Sequence, residues 1–158
     1  MIRIRAARPD DAAAACHVLR RSITELCVQD HRNDEAFLAR WLGNKTPENV
    51  RSWIVDSHVF VAEENDRIVA VSALTNSGHI TLNYVSPDAR FRGISKALVR
   101  EMEQKAAELG CRICTLESTK TAERFYRALG YSERDDLAKG LLAKSLPDPT
   151  VRAHESDL

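Results

Sequence analysis

The stretch Val85-Ser86-Pro87-Asp88-Ala89-Arg90-Phe91-Arg92-Gly93-Ile94-Ser95-Lys96 concentrates the residue types best suited to holding an anion. A β-rich run ends there, a short loop carries two arginines and a glycine, and a long helical pattern begins. The first turn of a helix has unpaired N–H groups and a partial positive charge. Gly93 lets the backbone approach a ligand closely, Arg90, Arg92 and Lys96 add full charges, and Ser95 adds a hydroxyl. A pyrophosphate suits such a cradle. Two familiar phosphate loops do not fit: a Walker A loop and a dinucleotide fingerprint both need more than the single glycine present. On residue chemistry alone, a solvated charged loop capping a helix explains the same residues equally well.

Cys111 and Cys114 form a Cys-x-x-Cys pair, but the run Cys111 to Leu116 reads as a strand. Residues three apart on a strand point to opposite faces, so the two sulfurs are badly placed to share a metal or close a bridge. No second ligand pair has zinc spacing, and no metal is expected. Cys16 and Cys27 stand alone in helical surroundings. All four cysteines are expected to be reduced thiols.

The elements that must position the anion loop follow from periodicity. A chain of 158 residues argues for one domain. Basic and acidic residues number 23 each, so the net charge is zero, which argues against a nucleic-acid binder. Apolar residues at 44% can fill a core. No apolar run approaches the ~20 residues of a membrane span, and the N-terminus has no signal-peptide core. The expectation is a soluble cytoplasmic protein.

Ile2 and Ile4 alternate with Arg3 and Arg5 as a strand, and Pro9-Asp10-Asp11 opens a helix running to about Val28. Phe37, Leu38, Trp41 and Leu42 mark a second helix ended by Gly43, and Thr46-Pro47-Glu48 starts a third. His58 to Glu63 and Arg67 to Leu74 read as a hairpin around Asn65-Asp66. His79 to Val85 alternates Ile80, Leu82 and Tyr84 against His79, Thr81 and Asn83. Ile94 to Leu109 is a helix, Cys111 to Leu116 a strand, and Thr121 to Leu129 a short helix. Tyr131 to Glu133 and Gly140 to Lys144 are candidate last strands. This order gives an α/β fold: a mixed, mostly antiparallel central sheet with helices on both faces, over residues 1–146, with residues 147–158 a frayed tail.

The segment Arg90-Phe91-Arg92-Gly93-Ile94-Ser95 resembles the acyl-CoA loop of the GNAT superfamily of N-acetyltransferases, [Q/R]-x-x-G-x-[G/A], with Ser95 departing from the usual Gly or Ala. Ala122-Glu123-Arg124-Phe125-Tyr126-Arg127-Ala128-Leu129-Gly130-Tyr131 is similar to that family's A-x-x-F-Y-x-x-x-G-[F/Y] block, with Thr119 where Asn is frequent. The resemblance implies acetyl-CoA as co-substrate, with no metal, and direct transfer to a primary amine of a small molecule or peptide. Its pantetheine arm would pair with Asn83, Tyr84 and Val85, in a gap between the fourth and fifth strands. Its pyrophosphate would sit on the backbone from Phe91 to Lys96, through Arg92, Gly93, Ile94 and Ser95, with Arg90 beside it. Thr119, Ala122 and Phe125 would line the far wall.

The same resemblance makes Tyr126 the general acid to the departing thiolate. Lysine-type amines are neutral in only about one molecule in 10³ near neutral pH, so a base is needed. Glu117 is the first candidate, with Glu64 and His79 as alternatives, while Glu25, Asp30 and His31 are candidate acceptor contacts. A non-catalytic acyl-CoA-binding module on the same fold is the competing reading. Dimers are frequent among similar proteins, and no nucleic-acid or membrane partner is expected.

Overall fold

The computed structural model describes residues 1–147, so residues 148–158 of the expected tail lie outside the described residues. The elements in chain order are β1 (Ile2–Ala6), α1 (Ala12–Leu26), α2 (Val28–His31), α3 (Glu35–Leu42), α4 (Pro47–Asp56), β2 (His58–Glu64), β3 (Arg67–Leu74), β4 (His79–Val85), α5 (Ile94–Glu108), β5 (Ile113–Glu117), α6 (Glu123–Ala128), β6 (Ser132–Glu133) and β7 (Leu141–Ser145). Seven strands form one sheet in the order β1-β2-β3-β4-β5-β7-β6. Every neighbouring pair is antiparallel except β4 and β5. Among the described residues no helix is long and apolar enough to cross a membrane.

Each face of the sheet carries its own core. On one side α5 presents Ile94, Leu98, Met102 and Ala106, which pack with Leu74, Ile80, Leu116, Tyr126 and Tyr131. Leu98, Met102 and Ala106 lie four residues apart, one stripe of a 3.6-residue helix. On the other side α1 presents Ala12, Ala15, Cys16 and Leu19 to Val59, Val61, Val71 and Leu82, with Val50 of α4 alongside.

Three elements differ from their sequence expectation for local reasons. The first helix stops at Leu26; Cys27 leaves helical geometry, and a separate turn, α2, ends at Arg32 and Asn33, both at positive φ. Cys111 is not in a strand. Its N–H bonds Ala106 O at 2.9 Å, closing α5 beyond Gly110 in a Schellman arrangement. The alternation expected along β4 is broken, because Ala73 faces Leu82 while Leu74 faces Ile80, so Thr81 is an extra residue in the ladder. Ile80 therefore joins the α5 core, whereas Leu82 and Tyr84 pack toward α1. The bulge turns Asn83 and Val85 to the α5 side.

At the β1 edge, Arg5 is held by two acids. Its guanidinium donates to Asp11 Oδ2 at 2.8 Å, to Asp11 Oδ1 at 3.0 Å and to Glu63 Oε2 at 3.1 Å. Asp11 also accepts the Arg8 N–H at 2.7 Å. The hydrogen bonds from Arg5 hold the Asp11 carboxyl below its ordinary pKa. Removing one partner of a largely buried ion pair strands the other charge, so Asp11→Asn is expected to cost about 1–3 kcal/mol in urea unfolding. A carboxyl whose folded pKa is depressed stabilises above its unfolded pKa and loses that contribution as pH falls through the folded value. The deficit of Asp11→Asn should therefore be full at neutral pH and shrink as pH drops below about 3.9. A deficit constant down to the acid transition would show that the charge contributes nothing.

Candidate functional site

The parallel pair β4–β5 is joined only at its start, His79 facing Thr115 and Ile80 facing Leu116. Beyond Ile80 the two strands diverge. Ser86 N–H donates to Val69 O at 2.7 Å, on the β3 side. Alternation along an antiparallel ladder then directs the N–H and C=O groups of Asn83 and Val85 away from β3, into the gap. The sheet thus has an interior strip of backbone with no strand to pair it.

A cleft of about 580 Å³ occupies this gap and continues to the amino end of α5. Every residue expected at the co-substrate lines it except Arg92. Asn83, Tyr84 and Val85 form one wall, Arg90, Phe91, Gly93, Ile94, Ser95 and Lys96 the helix-start end, and Thr119, Ala122 and Phe125 the opposite wall. Gly93 caps α5 at φ 77°, a left-handed conformation that suits glycine, and a side chain there would point into open space. Phe91 is also left-handed and 92% exposed, and the Arg90 guanidinium lies 4.5 Å from its ring centre. Arg92 is turned away from the cleft and forms a salt bridge with Glu64, which holds the Glu64 carboxyl below its ordinary pKa. The charge available at the loop is therefore that of Arg90 and Lys96.

Tyr126 reaches the gap from α6 and is 6% exposed. Its ring is held edge-to-face by Phe125 at 5.0 Å and by Tyr131 at 5.9 Å. Tyr131 is tied down in turn, donating its hydroxyl to Glu103 Oε2 at 2.7 Å, while Lys144 Nζ lies 3.1 Å from the same carboxylate. Asn83 Nδ2 donates to Tyr126 Oη at 3.2 Å, leaving the phenol hydrogen free to face the cleft. Burial pushes the phenol up to about 12, and the Asn83 hydrogen bond opposes that shift. The Asn83 Oδ1 is buried with no partner.

Among the base candidates, Glu117 alone comes near Tyr126. It ends β5, exposed, and lines a small cavity of about 50 Å³ together with Asn83, Tyr84 and Tyr126. Glu64 is committed to Arg92 at the β2–β3 hairpin. His79 sits at the closed end of the gap, hydrogen-bonded to Thr115 Oγ1 at 2.8 Å, and lines neither cleft nor cavity.

The three residues expected near an acceptor have other partners. His31 is 2% exposed; its Nδ1 accepts the Asn33 N–H, which makes Nε2 the donor toward Ile23 O and Thr24 O. Glu25 pairs with Arg21 on the surface of α1. Asp30 is a clamp: it accepts from Lys120 N at 2.6 Å, Thr121 N at 3.2 Å and Thr121 Oγ1 at 2.7 Å. It thereby ties α2 to the loop that brings Thr119 and Ala122 to the cleft.

Sequence reasoning missed the α1 wall, made of Ser22, Leu26 and Cys27. Ser22 and Leu26 are one helical turn apart, a signal that was present in the spacing. Burial raises the Cys27 thiol to about 12. Among the described residues no group of three His, Cys, Asp or Glu side chains gathers to hold a metal ion.

With this geometry in place, comparison with known proteins is informative. Residues 27–140 match the family model described as an acetyltransferase (GNAT) domain. No curated protein matches the chain. Several solved structures share the fold. A GCN5-related N-acetyltransferase from Rhodopseudomonas palustris is 23% identical with a TM-score of 0.80, over 91% of this chain and 95% of that one. PaiA N-acetyltransferase from Thermoplasma acidophilum, in complex with coenzyme A, is 19% identical with a TM-score of 0.78, over 92% and 99%. A GNAT family acetyltransferase from Brucella melitensis, in complex with acetyl-CoA, is 21% identical with a TM-score of 0.63, over 94% and 90%.

All three tyrosines of the chain, Tyr84, Tyr126 and Tyr131, have their pKa raised, burial being the largest cause for each. Near-ultraviolet titration should show no tyrosinate as the pH passes ~10, where a free tyrosine is half ionised. Between there and about 12, ionisation favours the unfolded chain, so stability falls as pH rises through that window and tyrosinate appears together with unfolding. A folded protein with one tyrosine titrating near ~10 would contradict the burial of the site.

Proposed function

The chain belongs to the GNAT acetyltransferases, and from that premise we propose that it transfers the acetyl group of acetyl-CoA directly to a primary amine. The observation that carries this reading is the unpaired strip of β4 at Asn83 and Val85, which runs toward the amino end of α5 with the Tyr126 hydroxyl beside it. The residues present suit the co-substrate. Pantetheine amides need extended backbone to pair with, and Asn83 and Val85 offer it. A diphosphate needs donors and positive charge, and the first turn of α5 with Arg90 and Lys96 supplies both. The coenzyme complexes of the Thermoplasma and Brucella proteins, which share this fold, support the same reading.

When bound, the thioester supplies an activated acyl carbon. The chain's residues then have distinct tasks. Glu117 takes a proton from the ammonium of the acceptor, leaving a lone pair for attack. The Val85 N–H, facing the gap, donates to the acyl oxygen as negative charge develops; such donors are worth ~10²–10³ in rate elsewhere. A C–N bond forms, the C–S bond breaks, and its electron pair leaves with sulfur. Tyr126 donates its hydrogen to that sulfur and is restored by the second proton released from nitrogen. The products are an amide, the free thiol and one proton passed through Glu117 to water. No covalent enzyme intermediate is required.

Energetics limit what Tyr126 can do. Burial makes the Tyr126 phenol a weaker acid than a free thiol at ~8.5, so complete transfer is uphill. Tyr126 therefore gives up its hydrogen only as the second nitrogen proton replaces it, and because the leaving group is already tolerable some turnover survives without it.

Calorimetry should show saturable binding of coenzyme A to the full chain. With a reactive amine, Tyr126→Phe is expected to lower kcat within the ~10²–10⁴ range of general acids, leaving residual turnover. Wild-type turnover in that variant would remove Tyr126 from the reaction. Coenzyme A binding without thiol release across a broad amine panel would establish the non-catalytic module instead.

A further inference from the structure

A second recess, of about 550 Å³, opens beside the cleft and is lined by the aromatic Phe37, Trp41 and Tyr84 and the charged Asp30, Glu117 and Arg40. It is continuous with the reacting centre. Tyr84 and Thr119 line both the recess and the cleft, and Glu117 lines both the recess and the small cavity that Tyr126 also lines.

The walls are unusual for a helix of this pattern. α3 carries Phe37, Leu38, Trp41 and Leu42, yet none of its residues is fully buried. Phe37 is 41% exposed and stands edge-to-face to Trp41 at 6.1 Å. An aromatic pair left open in this way, over a recess rather than over core, offers a flat apolar surface to a ligand. The charges narrow the choice. Among the described residues neither Asp30 nor Glu117 has a cationic side chain within ion-pair distance. The Asp30 oxygens are taken up by Lys120 and Thr121. Glu117 is the carboxylate left free for an ammonium group. The recess has one cation, Arg40, whose guanidinium lies 5.9 Å from the Phe37 ring centre.

Resting on the acetyltransferase reading above, we propose that the acceptor is a primary amine on an aromatic stem, with no carboxylate beside the amine and no second ammonium group. Its ring lies against Trp41 and Phe37, and its ammonium group meets Glu117. A carboxylate next to the amine would face Glu117 and Asp30, a like-charge contact. A distal ammonium group would approach Arg40.

The test measures thiol release from acetyl-CoA by the full chain with phenethylamine, ethylamine, free phenylalanine and spermidine. The expected result is a kcat/KM for phenethylamine about ten- to two-hundredfold above the other three, the range an apolar pocket contact can supply. Trp41→Ala should raise KM for phenethylamine about tenfold or more while changing that for ethylamine far less. Phe37→Ala, at an exposed position, gives the same direction of effect if Trp41→Ala does not fold. Preference for phenylalanine or spermidine, or an equal loss for all amines in the variants, overturns the assignment. So does coenzyme A binding with phenethylamine inert, an outcome that leaves the coenzyme site standing. Absence of coenzyme A binding overturns the acetyltransferase reading itself.

Discussion

The structure depends on an interaction that is missing: β4 and β5 pair for two residues and then separate. Unpaired backbone inside a protein is costly unless something satisfies it. Here the divergence creates both the cleft and a reason for it to be filled. The bulge at Thr81 makes the opening specific. By adding a residue to β4 it exchanges the faces of everything that follows, so Asn83 turns to Tyr126 and Tyr84 turns to the α1 side. Without that one-residue shift, the strand would present the cleft with the opposite set of side chains.

The gap is held open from both flanks. On the α5 side, Phe125, Tyr126 and Tyr131 form an edge-to-face stack that ends in the Glu103–Lys144 pair, so Tyr126 is braced by groups with fixed partners of their own. On the other side, Asp30 fastens the β5–α6 loop to α2 across some ninety residues of sequence. Both devices are polar anchors placed behind apolar walls. That is economical in a cleft that must stay open before its ligand arrives, because hydrogen-bond geometry restrains position where packing cannot.

Much of this was legible in the sequence. β-rich runs on either side of Asn65-Asp66 located β2 and β3, alternation located β4, and the four-residue stripe located α5. The two blocks around Gly93 and Tyr126 named the residues that meet across the gap, although they lie some thirty positions apart. What stayed hidden depended on contacts between distant segments. Nothing near Asp30 indicates that its oxygens are taken by Lys120 and Thr121, so it read as a candidate acceptor contact. His31 read as a candidate contact because its partners, Ile23 O and Thr24 O, are backbone groups that no composition reveals. The pairing of Arg92 with Glu64 required knowing that the β2–β3 hairpin folds beside the loop. The bulge carries no Gly or Pro signature, so strict alternation was the natural reading of β4.

Cys27 gives the cleft a last property. A thiol beside a thioester invites exchange, in which the acyl group would migrate onto the protein and be lost to the acceptor. With its pKa pushed up to about 12 by burial, Cys27 stays protonated at neutral pH. The nucleophilic form is the thiolate, so this sulfur borders the reaction path as inert lining. The same burial that shapes the wall keeps this thiol in its unreactive form.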